Sequence, residues 1–137
     1  MILHQYLDDA ARDWPGQIAV QEAGGSSITY RELGSLSDQL RDRLVQRGVR
    51  PGDRVGFWIR KSIDGVATIF GALKTGAAYV PVDPGAPASR NGYILADCAV
   101  AAVVVESRFK AALLAELSLE FPENPLFAKH ARRLQTP

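Results

Sequence analysis

Residues 55–59 read Val-Gly-Phe-Trp-Ile, five apolar positions in a row with no polar residue among them. A strand with one face in water alternates apolar and polar side chains. A strand covered on both faces has no reason to alternate, and that is the pattern of parallel sheets, whose crossover helices lie on both sides. The run follows a Pro51-Gly52 turn, with Asp53 and Arg54 beside it, and reads as a strand covered on both faces. A strand of this kind commits the chain to an α/β fold, with helices layered on a largely parallel sheet. The 137 residues suit one domain of that type, large enough to bury a core without a disulfide or metal staple.

The flanking segments supply the helices. Leu3, Tyr6, Leu7, Ala10, Ala11 and Trp14 fall at helical spacing, and Pro15-Gly16 closes that segment. Ile18-Ala19-Val20 reads as a strand, and Gly24-Gly25-Ser26-Ser27 as a turn. Thr29 and Glu32 form a Thr-x-x-Glu capping box, with Ile28 and Leu33 placed as a hydrophobic staple. Leu33, Leu36, Leu40 and Leu44 make one stripe of the helix that follows, and Gly48 suits its left-handed end. After the central strand, Ser62 can cap a third helix whose apolar face runs through Ile63, Val66, Ala67, Ile69, Phe70 and Leu73, with Gly76 as its stop. Tyr79-Val80 begins a strand that Pro81 and Pro84 must keep short or at an edge, because proline donates no ladder hydrogen bond. Pro87 suits the start of a helix over Ala88 to Cys98, weakened by about 1 kcal/mol at Gly92. Ala101 to Val105 is a β-branched strand, and Phe109, Leu113 and Leu117 mark a last helix. Residues 1–119 are read as one α/β subdomain and 120–137 as an irregular tail.

The totals exclude several classes. A net charge of +1 gives no general reason to bind nucleic acid, and the basic cluster around Arg132 and Arg133 is too small to supply one. No apolar run approaches the roughly 20 residues that span a bilayer, and no export signal opens the chain. The single cysteine fits a reducing compartment, so a cytoplasmic location is expected. His4 and His130 stand alone, no group of residues has metal-ligand spacing, and Cys98 beside Asp97 at a helix end reads as packing. Gly24-Gly25-Ser26-Ser27 lacks the lysine and spacing of a phosphate loop. Arg60-Lys61-Ser62 follows a buried strand and opens a helix. That is a place where open α/β sheets receive ligands and where helix N-termini attract anions, and it is also a place where two solvated cations and a cap would sit. From the residues alone the chain is scaffold without an assembled active site.

Two longer stretches carry a resemblance. Ile28-Thr29-Tyr30-Arg31-Glu32-Leu33 resembles the first core motif of adenylate-forming enzymes, the superfamily of acyl-CoA synthetases, nonribosomal peptide synthetase adenylation domains and luciferases. Residues 73–84, LKTGAAYVPVDP, resemble the second. Residues 48–74 match the usual connection between the two, and Arg90 with Tyr93-Ile94-Leu95-Ala96-Asp97 matches the segment that follows. The resemblance covers roughly residues 3–109 and implies the N-terminal portion of an AMP-forming ligase.

In that family a carboxylic acid attacks ATP, with magnesium on the phosphates. The acyl adenylate then passes to a thiol on coenzyme A or on a carrier protein. The Ser/Thr/Gly-rich phosphate loop, the adenine and ribose motifs and the C-terminal lysine of the family are not in this sequence. The resemblance therefore implies no catalytic, cofactor-binding or metal-binding residue here, and no activity for the chain by itself. The alternative is a non-catalytic interaction module, a homo-oligomer or a partner for a separately encoded remainder. A small anion binder using Arg60 and Lys61 is a third.

Overall fold

The computed structural model describes residues 2–120. Helix α1 (Leu3–Asp13) leads into strands β1 (Ile18–Gln21) and β2 (Ser27–Thr29), then helix α2 (Tyr30–Gln46). Strand β3 (Arg54–Trp58), helix α3 (Ile63–Lys74), strand β4 (Ala78–Pro81), helix α4 (Ala88–Asp97) and strand β5 (Ala102–Val105) follow. A 3-10 turn (Ser107–Phe109) then opens helix α5 (Lys110–Glu120). β1 and β2 form an antiparallel pair, and β4-β3-β5 form a separate three-stranded parallel sheet. The non-alternating run is thus the central strand, and the proline-bearing strand is at an edge.

Strand order explains how the central strand is covered twice. The chain steps from β3 out to β4, then back past β3 to β5. Right-handed crossovers in opposite directions place their helices on opposite faces. α4 packs on the Gly56 face, where a Cβ on Gly56 would run into the Leu95 side chain, so only glycine lets helix and strand come this close. Trp58, on the same face, stacks on Phe109 with ring centres 5.7 Å apart. α3 lies on the opposite side of the sheet. The main core joins Val55, Phe57, Trp58, Leu95 and the β5 valines to Leu113 and Leu117 of α5. A second core gathers Leu7, Leu33, Leu40 and Ala67 between α1, α2 and α3.

The local signals act as their chemistry requires. The Thr29 hydroxyl accepts the Glu32 N–H at 3.2 Å, and the Glu32 carboxylate accepts the Thr29 N–H at 3.2 Å. Gly48 and Gly76 end α2 and the α3 segment with φ of +94° and +82°. After β4, residues 83–86 form a turn held by Asp83. Asp83 accepts the Gly85 N–H on its side chain at 2.8 Å, and its carbonyl accepts the buried Asn91 amide at 2.8 Å. Gly92 proves to be a spacer, since a Cβ there would come within 2.6 Å of Glu116 Cβ on α5.

Packing refines the reading of α1 and α3 and engages Lys74. α1 is helical, but Leu3, Tyr6 and Trp14 are exposed and only Leu7 is fully buried, because α1 lies on the outside of α2 with one narrow stripe inward. α3 buries its small residues most deeply, Gly65, Ala67, Gly71 and Ala72, while Ile63, Val66, Ile69, Phe70 and Leu73 are half-buried. Close approach of α2 and of the sheet selects small residues at the contact lines. Lys74 stands in the last turn of α3. Its side chain is 4% exposed, and its ammonium reaches Asp38 of α2 at 2.7 Å and Asp8 of α1 at 3.0 Å, tying three helices. The last helix continues through Glu120; the remainder of the tail expected over 120–137 lies outside the described residues. Among the described residues no helix is long and apolar enough to cross a membrane.

Candidate functional site

The carboxyl ends of β3 and β4 open into a cleft of about 680 Å³, bounded by α3 and by the end of β1. Its floor is apolar: Phe57 and Ile59 of the β3 segment, Val66 and Ile69 of α3, and Tyr79 and Pro81 of β4. Phe57 and Tyr79 meet with ring centres 5.9 Å apart, tilted by 42°. The rim carries Glu22, Arg60, Lys61 and Ser62. The structure therefore places Arg60-Lys61-Ser62 where the sequence suggests, between a buried strand and a helix start, at the strand ends where open sheets receive ligands.

The rim groups are largely engaged by the chain itself. Ser62 caps α3, its hydroxyl accepting the Gly65 N–H at 3.1 Å and donating to the Arg60 carbonyl at 3.0 Å. The next free N–H of the helix, on Ile63, is taken by the Glu22 carboxylate at 2.8 Å. An internal carboxylate thus occupies the position that would attract an external anion. Arg60 turns away to Glu106, with its Nε 3.0 Å from Oε2 and its backbone N–H donating to Oε1 at 3.2 Å. Arg108 shares the same carboxylate at 2.9 Å. The Arg60 side chain is 54% exposed, so the pair contributes at most about 0.2–1 kcal/mol. Among the described residues Lys61 makes no ion pair, leaving one uncommitted cation on the rim.

The other candidates are not brought together. His4 is half-buried on α1, and His130, Arg132 and Arg133 lie outside the described residues. Cys98 follows α4, half-buried against the main core, and its carbonyl accepts from Arg54 at 3.2 Å. Gly24-Gly25-Ser26-Ser27 is the hairpin turn between β1 and β2, with Gly25 at φ +96°. Among the described residues no group of three or more His, Cys, Asp or Glu side chains could hold a metal ion. Glu22 and Glu106 are the functional-site residues that sequence reasoning missed. Each lies just beyond the end of a strand, and that position is the only signal that marks them.

These features define an open-sheet α/β scaffold with an apolar cleft at the carboxyl ends of its parallel strands. The family model for AMP-binding enzymes matches residues 7–133, and the chain belongs to that family. It is 38% identical over 102 residues to the syringomycin synthase SyrB1 of Pseudomonas syringae pv. syringae, a match that takes in 74% of this chain and 16% of that protein. The nonribosomal peptide synthetase FmoA3 superposes with a TM-score of 0.76 at 32% identity, over 81% of this chain and 12% of that one. The anthranilate CoA ligase AuaEII, solved with anthranoyl-AMP, shares the fold with a TM-score of 0.80 at 22% identity, over 98% of this chain and 27% of that one. The chain thus spans a small part of the length of its relatives, and what it matches is a fragment of an adenylation-type ligase.

Proposed function

We propose that the chain forms the N-terminal supporting wall of an AMP-forming ligase. The complete enzyme would join a carboxylic acid, an amino acid or acyl substrate, to AMP. A carboxylate oxygen attacks the α-phosphorus of ATP, the bond to pyrophosphate breaks, and a thiol of coenzyme A or of a carrier-protein arm later displaces AMP. Magnesium would neutralise the phosphates. The described residues offer it no acidic cluster, so no step is assigned to it on this chain.

What this chain contributes is rigid position. β3 and β4 end together, α3 starts beside them, and the polar groups at that edge are fixed by Glu22, Ser62 and Glu106. The observation that carries the reading is that internal engagement. Groups already satisfied inside the fold preorganise a surface, and the one rim cation without an ion pair among the described residues, Lys61, is too little to grip triphosphate. Chemistry then belongs to parts of the ligase outside this chain, and relatives of which it spans 12–27% leave ample room for them.

The test is ATP–pyrophosphate exchange by the purified chain across a panel of amino and aryl acids. Exchange at the level of a protein-free blank is expected. Acid-dependent exchange above that level refutes the assignment of chemistry to other parts of the ligase.

A further inference from the structure

The α3 face of the parallel sheet is only partly covered. α3 shields β3, leaving Phe57 and Ile59 buried. In the β3–β4 register Tyr79 lies beside Val55 and Pro81 beside Phe57, so both project from that same face. Tyr79 is nevertheless 38% exposed, and Pro81 is exposed. A parallel sheet is normally closed on both faces, and here the closure stops halfway across.

The cleft is not built like a small-molecule pocket. Such pockets orient their ligand with several convergent polar groups. Here Glu22 and Ser62 are spent on Ile63 and Gly65, Arg60 leans away to Glu106, and the polar groups left over, Gln21, Lys61 and the Tyr79 hydroxyl, are scattered around an apolar floor. Non-directional apolar contact with one positive rim charge suits a polypeptide surface. The edge of β4 disfavours an added strand. Its alternate residues Ala78 and Val82 donate toward the β3 side, so Tyr79 and Pro81 face outward, and Pro81 has no N–H to give. The occupant therefore packs over the face of β4 and does not extend the sheet.

We propose that this cleft is the seat of the rest of the adenylation enzyme. The occupant is an apolar polypeptide segment that covers Phe57, Ile59, Val66, Ile69, Tyr79 and Pro81 and brings an acidic side chain to Lys61. The proposal rests on the reading of the chain as a portion of an AMP-forming ligase. It names the surface at which that portion joins the remainder, for which relatives that continue over most of their length outside the match supply the chain.

The experiment uses the full 137-residue chain and, in trans, the FmoA3 adenylation unit lacking the stretch that this chain matches. Binding is measured by calorimetry, and exchange activity is followed in the same mixtures. Wild-type chain is expected to bind, with Tyr79→Glu and Lys61→Glu each weakening binding at least tenfold at unchanged melting temperature, and Lys61→Arg binding as wild type. Wild-type binding that survives both charge substitutions overturns the proposed seat while leaving the ligase reading intact. Failure of the wild-type chain to bind, or self-association through the cleft that both substitutions abolish, also overturns it. Binding with the expected sensitivity but no exchange supports the seat and counts against the ligase reading instead.

Discussion

Two glycines in neighbouring helices predict opposite responses to the same substitution. On intrinsic propensity alone, Gly→Ala inside a helix stabilises by about 1 kcal/mol. A Cβ on Gly34 of α2 would find Ala11 Cβ at 3.4 Å, an ordinary contact, so Gly34→Ala should realise most of that gain. A Cβ on Gly71 of α3 would find Leu40 Cβ at 2.8 Å, the Ser37 carbonyl oxygen at 3.1 Å and the Arg41 nitrogen at 3.4 Å. None of these atoms is the free end of a flexible side chain, so relief requires α2 to withdraw from α3. Overpacking of this sort costs about 1–3 kcal/mol. Setting that against the propensity gain leaves Gly71→Ala less stable by about 1 kcal/mol, or a melting temperature lower by about 4 °C. Urea unfolding followed by circular dichroism reads both variants, with an unchanged m-value required for the comparison. A Gly71→Ala midpoint that rises alongside that of Gly34→Ala refutes the idea that the α2–α3 approach is limited at this glycine.

Other outcomes follow from single contacts. Thr29→Ala should lose about 1 kcal/mol by opening the capping box of α2, measured by the same urea midpoint, and Thr29→Ser should retain most of it. Lys74→Ala should cost about 2 kcal/mol and Lys74→Met under about 1 kcal/mol, because Asp8 and Asp38 remain half in water and it is the buried stem that packs; equal losses in thermal melts would refute this division. The Arg12 guanidinium, by hydrogen bond and charge, holds the Asp13 carboxyl below the usual carboxylate range. Its small contribution to stability is therefore present above that range and fades as pH falls through the lowered folded-state value. An NMR titration of Asp13 should move up to the ordinary range in Arg12→Ala, and an unmoved titration refutes the pairing.

Much of the fold is legible in single segments. The capping box of Thr29 and Glu32 and the positive-φ stops at Gly48 and Gly76 need only neighbours within a few residues, and the structure keeps them all. The unbroken apolar run at 55–59 signalled a strand covered twice, and β3 is that strand. β2 was not legible. Ser27-Ile28-Thr29 is three residues long and is a strand only because β1 pairs with it. In α1 the period was readable but the inward direction was not: Tyr6 and Trp14 count as apolar in any pattern, yet they face outward.

The candidate site divides in the same way. That Arg60, Lys61 and Ser62 stand between a strand and a helix is a fact of local order, and the sequence by itself determined it. What those residues do was decided by carboxylates 41 and 46 residues away along the chain, Glu22 on the Ile63 N–H and Glu106 on Arg60. Caps, turns and periodicity are set by atoms a few bonds apart. Charge pairing at a strand end depends on which distant segments the packed layers bring within hydrogen-bond range, so only the tertiary structure could show that this edge is already occupied from within.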